Sequence, residues 1–209
     1  PGAADTGALG ALKDPRVWLL GLVSALMLGS NYAINLSAPA ILQAATGLSA
    51  GKVGLLTAAV NAVAALAMLA AGWSSDRTGE RRGHAAAFMA VIAAGFLATG
   101  LSAAGAVTVG AYAVYVVGAS AIQAVIWLMP TDVLRGRSAA VGVAAIGSIG
   151  MVGAFVGPWA WGLARDATGD YRAGLLSLAV PFLAGAALVL AVRAPRRTLT
   201  TIGDIPGSA

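Results

Sequence analysis

The chain has 209 residues, of which 59% are hydrophobic and only 10% charged, and its formal net charge is +5. A soluble domain carries roughly 25% charged residues, so a water-soluble globule of this composition would expose large apolar patches, and a disordered chain is excluded by the abundance of apolar material to bury. Cysteine is absent and His84 is the only histidine, which leaves no disulfide framework and no ligand set for a metal. No cofactor and no nucleic-acid partner is expected. The positive charge reads as the basic loops of a membrane chain, whose first partner is the lipid bilayer.

Six apolar stretches follow one another at 17–44, 53–73, 85–104, 106–129, 139–163 and 174–192, and none contains Asp, Glu, Lys, Arg or His. Each meets the length of about 20 residues that a helical crossing needs, and none shows the period-two alternation of a barrel strand. The expected fold is therefore all-α, with six transmembrane helices over 17–192, a linker over 1–16 and a tail over 193–209.

Polar residues inside spans are costly and usually face the bundle interior or water. Span one carries Asn31, Tyr32, Asn35 and Ser37, with Asn31 and Asn35 at i, i+4 on one face, and Pro39 predicts a tilt or local break. Spans three and six are nearly devoid of polar groups. Span four carries Tyr112, Tyr115, Gln123 and Trp127 at spacings that keep them roughly on one face. Polar spans one and four with plain spans three and six fit a 3+3 inverted repeat, whose sites lie near the midplane at the repeat interface. These eight residues are the candidate substrate contacts, with interhelical hydrogen bonding as the alternative role for each. Span five carries a glycine stripe, Gly147, Gly150, Gly153 and Gly157, followed by Pro158. It marks close helix packing, either in a static bundle or in a seam that rocks.

Loop charge sets the orientation. Ten Lys and Arg residues fall on the side that holds both termini: Lys13, Arg16, Arg77, Arg81, Arg82, Arg135, Arg137, Arg193, Arg196 and Arg197. Three fall on the other, Lys52, Arg165 and Arg172. The positive-inside rule then places both termini in the cytoplasm, in a bacterial inner membrane. Ser120 in span four has no intramembrane histidine base, because His84 lies in a loop beside arginines. No enzyme activity is expected.

The loop after span two reads Gly72-Trp-Ser-Ser-Asp76-Arg77-Thr-Gly79-Glu-Arg81-Arg82. This spacing resembles the signature loop G-x-x-x-D-R-x-G-x-R-R of the major facilitator superfamily, which follows the second helix of each six-helix half. Further motifs are similar to the anion:cation symporter branch, which includes phthalate-, hexuronate- and tartrate-type permeases. Ser75 to His84 matches its loop. Tyr32 to Pro39 is similar to its Tyr-x-x-x-Phe-Trp-x-Pro stretch, with Leu36 and Ser37 in place of the aromatic pair. Trp127 to Pro130 matches its Trp-x-x-Pro ending. Gly142 to Pro158 resembles its glycine-rich run, with Gly147 and Met151 where that run has asparagines. Arg165 to Gly169 resembles its K-D-x-T-G loop.

The resemblance covers residues 12–192 and implies the C-terminal six-helix half of a twelve-helix transporter, whose partner is a missing N-terminal half. It implies cation- or proton-coupled uptake of a small organic anion, with Gly72, Asp76, Arg77, Gly79, Arg81 and Arg82 as gating residues. No ionisable residue lies in any span, so the groups that neutralise and couple the anion are expected in the other half. Two other readings stand beside this one: an autonomous six-span protein transporting as a homodimer, and a non-transporting membrane scaffold.

Overall fold

The computed structural model describes residues 8–102, 104–127, 129, 137–169 and 171–192. Arg135, Arg193, Arg196 and Arg197 of the basic set, and the tail over 193–209, lie outside the described residues. A short 3-10 turn, Ala8–Lys13, leads into α1 (Pro15–Thr46). There follow α2 (Ala50–Thr78), α3 (Arg81–Leu101), α4 (Gly105–Ile126), α5 (Arg137–Thr168), α6 (Tyr171–Ser177) and α7 (Ala179–Ala191). Taken together, α6 and α7 make one crossing, so six helical segments are long and apolar enough to span a membrane. The expected all-α class with six spans holds.

Local chemistry sets the ends of α1. Asp14 is its N-cap, accepting the Arg16 backbone N–H at 2.9 Å, and Pro15 occupies the first turn, where its missing N–H costs nothing. The Arg16 guanidinium grips both Asp14 oxygens, with bonds of 3.0 and 2.7 Å, and this pairing holds the Asp14 carboxyl below the usual carboxylate range. At the other end Gly47 adopts φ 69° and returns its N–H to the Gln43 carbonyl, the left-handed cap for which glycine has no steric penalty.

Helix continuity departs from the sequence reading at two places. No break occurs at Pro39: α1 is one 32-residue helix through it. A proline removes a single rung, which a long helix buttressed by neighbours tolerates. The interruption falls instead in the last crossing, at Leu178 between α6 and α7, three residues before Pro181. Pro181 cannot donate to the Ser177 carbonyl, and the Leu178 N–H is shared between the Gly174 and Leu175 carbonyls at 3.3 and 3.2 Å.

Three helix pairs carry most of the packing: α1 with α5, α2 with α4, and α3 with α6 and α7. The first is the glycine seam. A Cβ at Gly153 would land on the backbone of Ala25, one at Gly157 on the backbone of Gly29, and one at Gly29 would sit 2.7 Å from the Gly153 carbonyl oxygen. Here the two backbones touch without intervening side chains, as a small-residue interface permits. Gly150 faces Ser24 and Leu28, whereas Gly147 has no neighbour within 4 Å of the Cβ it lacks, so the seam runs from Gly150 to Gly157. Helix α5 is continuous past Pro158.

The third pair is tied at both ends by arginine. Arg172, second residue of α6, donates to the Thr99 and Gly100 carbonyls at the end of α3, at 3.1 and 3.0 Å. Arg82, second residue of α3, donates to the Leu190 carbonyl at the end of α7. Each guanidinium thus satisfies C-terminal carbonyls of the antiparallel neighbour, which have no partner within their own helix.

The outer faces of α2 and α5 are apolar and uncovered. Leu55, Leu66, Leu69 and Trp73 on α2, and Met151, Phe155, Trp159 and Leu163 on α5, are all exposed. Only 11% of the most apolar stretch of α2 is buried within this half, against 44% for α4. Such faces require lipid or another protein.

Candidate functional site

A small open cavity lies among α1, α4, α5 and α7. On its α1 side a stripe with offsets of four, three and four residues presents Leu20, Ser24, Met27 and Asn31, with Leu28 beside it. Its α4 side presents Tyr115, Ala119 and Gln123, then Ile126 and Trp127. Ile146 of α5 and Phe182 of α7 complete the wall. Both stripes follow the helical repeat, so each helix turns one face to the cavity.

Four of the eight sequence-derived candidates meet here: Asn31, Tyr115, Gln123 and Trp127. Tyr32 and Asn35 lie on an exposed part of α1, and Ser37 is half-buried away from the cavity. Asn35 shares a helix edge with Asn31 as expected, but its amide donates to the Asn31 carbonyl and side-chain oxygens, each at 2.8 Å. Tyr112 is buried beside a smaller cavity with Thr108, Ile34 and Phe96. The wall residues that polarity alone missed are chiefly Phe182, Ile146, Met27 and Leu28. Ser24 had a readable signal, lying two turns before Asn31 on the same stripe.

Tyr115 anchors the cavity floor. Its ring packs at 5.8 Å from Phe96 and 6.1 Å, edge-on, from Phe182, which stands 5.9 Å from Phe96. The side chain is 2% exposed, and its hydroxyl has no hydrogen-bond partner among the described residues. A buried phenol without a partner is costly. Apart from it, no lining residue is ionisable among the described residues.

The signature loop lies between α2 and α3. Helix α2 runs five residues beyond the predicted end of its span, so Asp76 and Arg77 occupy its last turn, and Gly79 closes it with φ 67° and its N–H on the Ser75 carbonyl. A side chain with a Cβ would be strained at that φ, which accounts for the glycine of the motif. Across this turn Arg81 pairs with Asp76 at 3.5 Å, while the Asp76 side chain stays 63% exposed. The Arg77 guanidinium stacks on Trp73, 4.6 Å from the ring centre. Arg82 makes the bond to α7 already described. The imidazole of His84 bridges the two helices, with Nδ1 2.6 Å from the Glu80 carbonyl and Nε2 3.1 Å from the Ser74 hydroxyl. A carbonyl only accepts, so Nδ1 carries a proton in this arrangement.

A Cβ at Gly72 would meet Ala124 of α4 at 3.9 Å, an ordinary contact, so no close approach within this half requires glycine there.

No protein-family model matches the chain. It is 37% identical over 192 residues to a putative tartrate transporter of Agrobacterium vitis, covering 91% of this chain and 41% of that protein. It is 34% identical over 186 residues to a quinolone resistance transporter of Acinetobacter baumannii, covering 89% and 43%. To the inner membrane transport protein RhmT of Escherichia coli K12 it is 32% identical over 197 residues, covering 91% and 44%. The chain spans less than half the length of these relatives. The chain is thus similar to these membrane transport proteins over about nine-tenths of its own length, and its six apolar helices are consistent with the six-helix half of a major facilitator type transporter that its loop and span motifs led us to expect.

Proposed function

We propose that the complete protein is a secondary active transporter for a small organic anion, coupled to protons or another cation, and that this chain is its C-terminal half. The observation that carries the reading is the open cavity between the polar stripes of α1 and α4, in a chain whose relatives are named as transporters. In this reading the missing N-terminal half closes the cavity and covers the apolar faces of α2 and α5. Asn31, Tyr115, Gln123 and Trp127 contact the solute, while Tyr32, Asn35 and Ser37 line the seam toward the other half. No basic or acidic side chain lines the cavity among the described residues and none lies in any apolar span, so in this reading the anion is neutralised and the coupling ion carried by the N-terminal half. The exposed Asp76 edge of the signature loop meets that half in one state of the cycle and gates it, on the cytoplasmic side that holds both termini.

The test is uptake by the complete protein in proteoliposomes, with organic anions offered under an imposed proton or sodium gradient. Gradient-dependent accumulation is expected from the complete protein and none from this half alone. Failure to accumulate any anion under either gradient would refute the reading, and uptake by this half alone would favour a homodimer.

A further inference from the structure

We infer that the solute carries an apolar ring or hydrocarbon flank against this half, and that polyhydroxylated acids are poor ligands. The inference rests on the transport reading above and narrows its substrate class.

The argument starts from the composition of the wall. Leu20, Met27, Leu28, Ile126, Ile146 and Phe182 make it mostly hydrocarbon, drawn from all four helices. The hydrogen-bonding groups are few and neutral: the Ser24 hydroxyl, the amides of Asn31 and Gln123, the indole of Trp127 and the buried Tyr115 hydroxyl. They come from α1 and α4 alone.

A hydroxy acid such as tartrate has oxygen on every carbon and so no apolar side to turn toward this surface. Each hydroxyl pressed on the hydrocarbon wall would leave water without gaining a partner, which weakens binding by roughly tenfold or more. An aromatic acid has the opposite distribution. Its ring displaces water at a gain from the half-buried part of the wall, Met27, Leu28 and Ile126. One polar substituent, or a carboxylate edge, then meets the amides of Asn31 and Gln123. The charge points away from this wall, which carries no cation among the described residues. Few, convergent polar groups on a mostly apolar wall are the usual makeup of a small-molecule site that selects for an amphipathic ligand.

The experiment uses the complete transporter in detergent and in proteoliposomes, with benzoate and tartrate as probes in competition binding. Benzoate is expected to bind at least tenfold more tightly. Equal binding, or a preference for tartrate, would overturn the inference, as would failure of both probes while another, polyhydroxylated anion is accumulated. In each of those cases gradient-driven uptake still stands, whereas absence of all uptake removes the transport reading itself. Met27→Gln provides a second measure, because it nearly keeps the shape of a wall residue and makes it polar. Benzoate affinity should fall about 3- to 10-fold, with tartrate affinity unchanged or improved and the thermal midpoint retained. An unchanged ratio of the two affinities in a folded Met27→Gln protein would show that the solute does not lie on this wall.

Discussion

The glycine seam between α1 and α5 makes a prediction with a built-in control. In Gly153→Ala the new methyl group would fall on the backbone of Ala25, not on the tip of a flexible side chain. The only relief is to move the two helices apart, and overpacking of this kind costs about 1–3 kcal/mol. Replacing glycine with alanine inside a helix also returns up to about 1 kcal/mol, so a net loss of about 1–2 kcal/mol is expected. Gly147 lies six residues earlier on the same helix, and its missing Cβ has no neighbour within 4 Å. Gly147→Ala should therefore keep the propensity gain without the clash and be neutral or slightly stabilising. Thermal unfolding of the complete protein in detergent measures both. For a domain of 150–250 residues about 1 kcal/mol corresponds to roughly 2–4 °C, so the two variants should separate by several degrees. If Gly153→Ala melts with Gly147→Ala, the backbones are not in contact at Ala25 and the account of the seam is wrong.

Further outcomes follow from the ends of the helices. Arg172→Ala removes the bonds to the Thr99 and Gly100 carbonyls and should cost about 1–3 kcal/mol by thermal unfolding, with Arg172→Lys recovering only part because it lacks the planar fork. Asp76→Asn removes the charge of an exposed residue, so it should slow transport in proteoliposomes by tenfold or more while leaving the melting midpoint within about 1 °C; normal transport would reduce the loop to a topology signal. For topology, Thr78→Cys is the reporter of choice, since Thr78 is exposed while Ser75 is 1% exposed and shielded from reagent on either side. In whole cells an impermeant thiol reagent should not label Thr78→Cys, and external labelling would reverse the orientation read from loop charge.

The spans were legible because the length of an uncharged apolar run is a direct physical requirement of the bilayer. Helix ends were less so. Polarity does not end a helix, and α2 continues through Ser74 to Thr78 until Gly79 turns it. Hydropathy falls at residue 73, five residues before the helix ends, because the bilayer limits the apolar run and Gly79 limits the helix. The break before Pro181 was in the sequence as well, and a proline four residues after a helical carbonyl is a sufficient cause. At the cavity, residue type indicated what a group could do but not which way it pointed. Asn31 and Asn35 share a helix edge, yet each step of four residues rotates the side chain by about 40°, and only Asn31 reaches the wall. Ile146 and Phe182 could not be recognised in advance, because an apolar residue facing a cavity is chemically the same as one facing lipid.

Helix α1 joins the two features that matter most. Gly21, Ala25 and Gly29 form one of its faces and lie against α5, while Leu20, Ser24, Met27 and Asn31 form the adjacent face and line the cavity. Because the α1–α5 contact is backbone on backbone at Gly153 and Gly157, no side chain there is available to absorb a displacement by changing rotamer. A shift of α5 must then either move α1 bodily or open the seam. If α1 moves, Asn31 moves with it relative to Gln123 on α4, and the spacing of the polar groups across the cavity changes. The apolar face of α5, from Met151 to Leu163, points outward, where the proposed second half would sit. A partner pressing on that face thus has a stiff path to the proposed solute contacts, through α5 and the glycine seam, and the path ends at Ser24 and Asn31. Gly153→Ala, which wedges this seam, should for that reason alter solute affinity as well as stability, although residue 153 does not line the cavity.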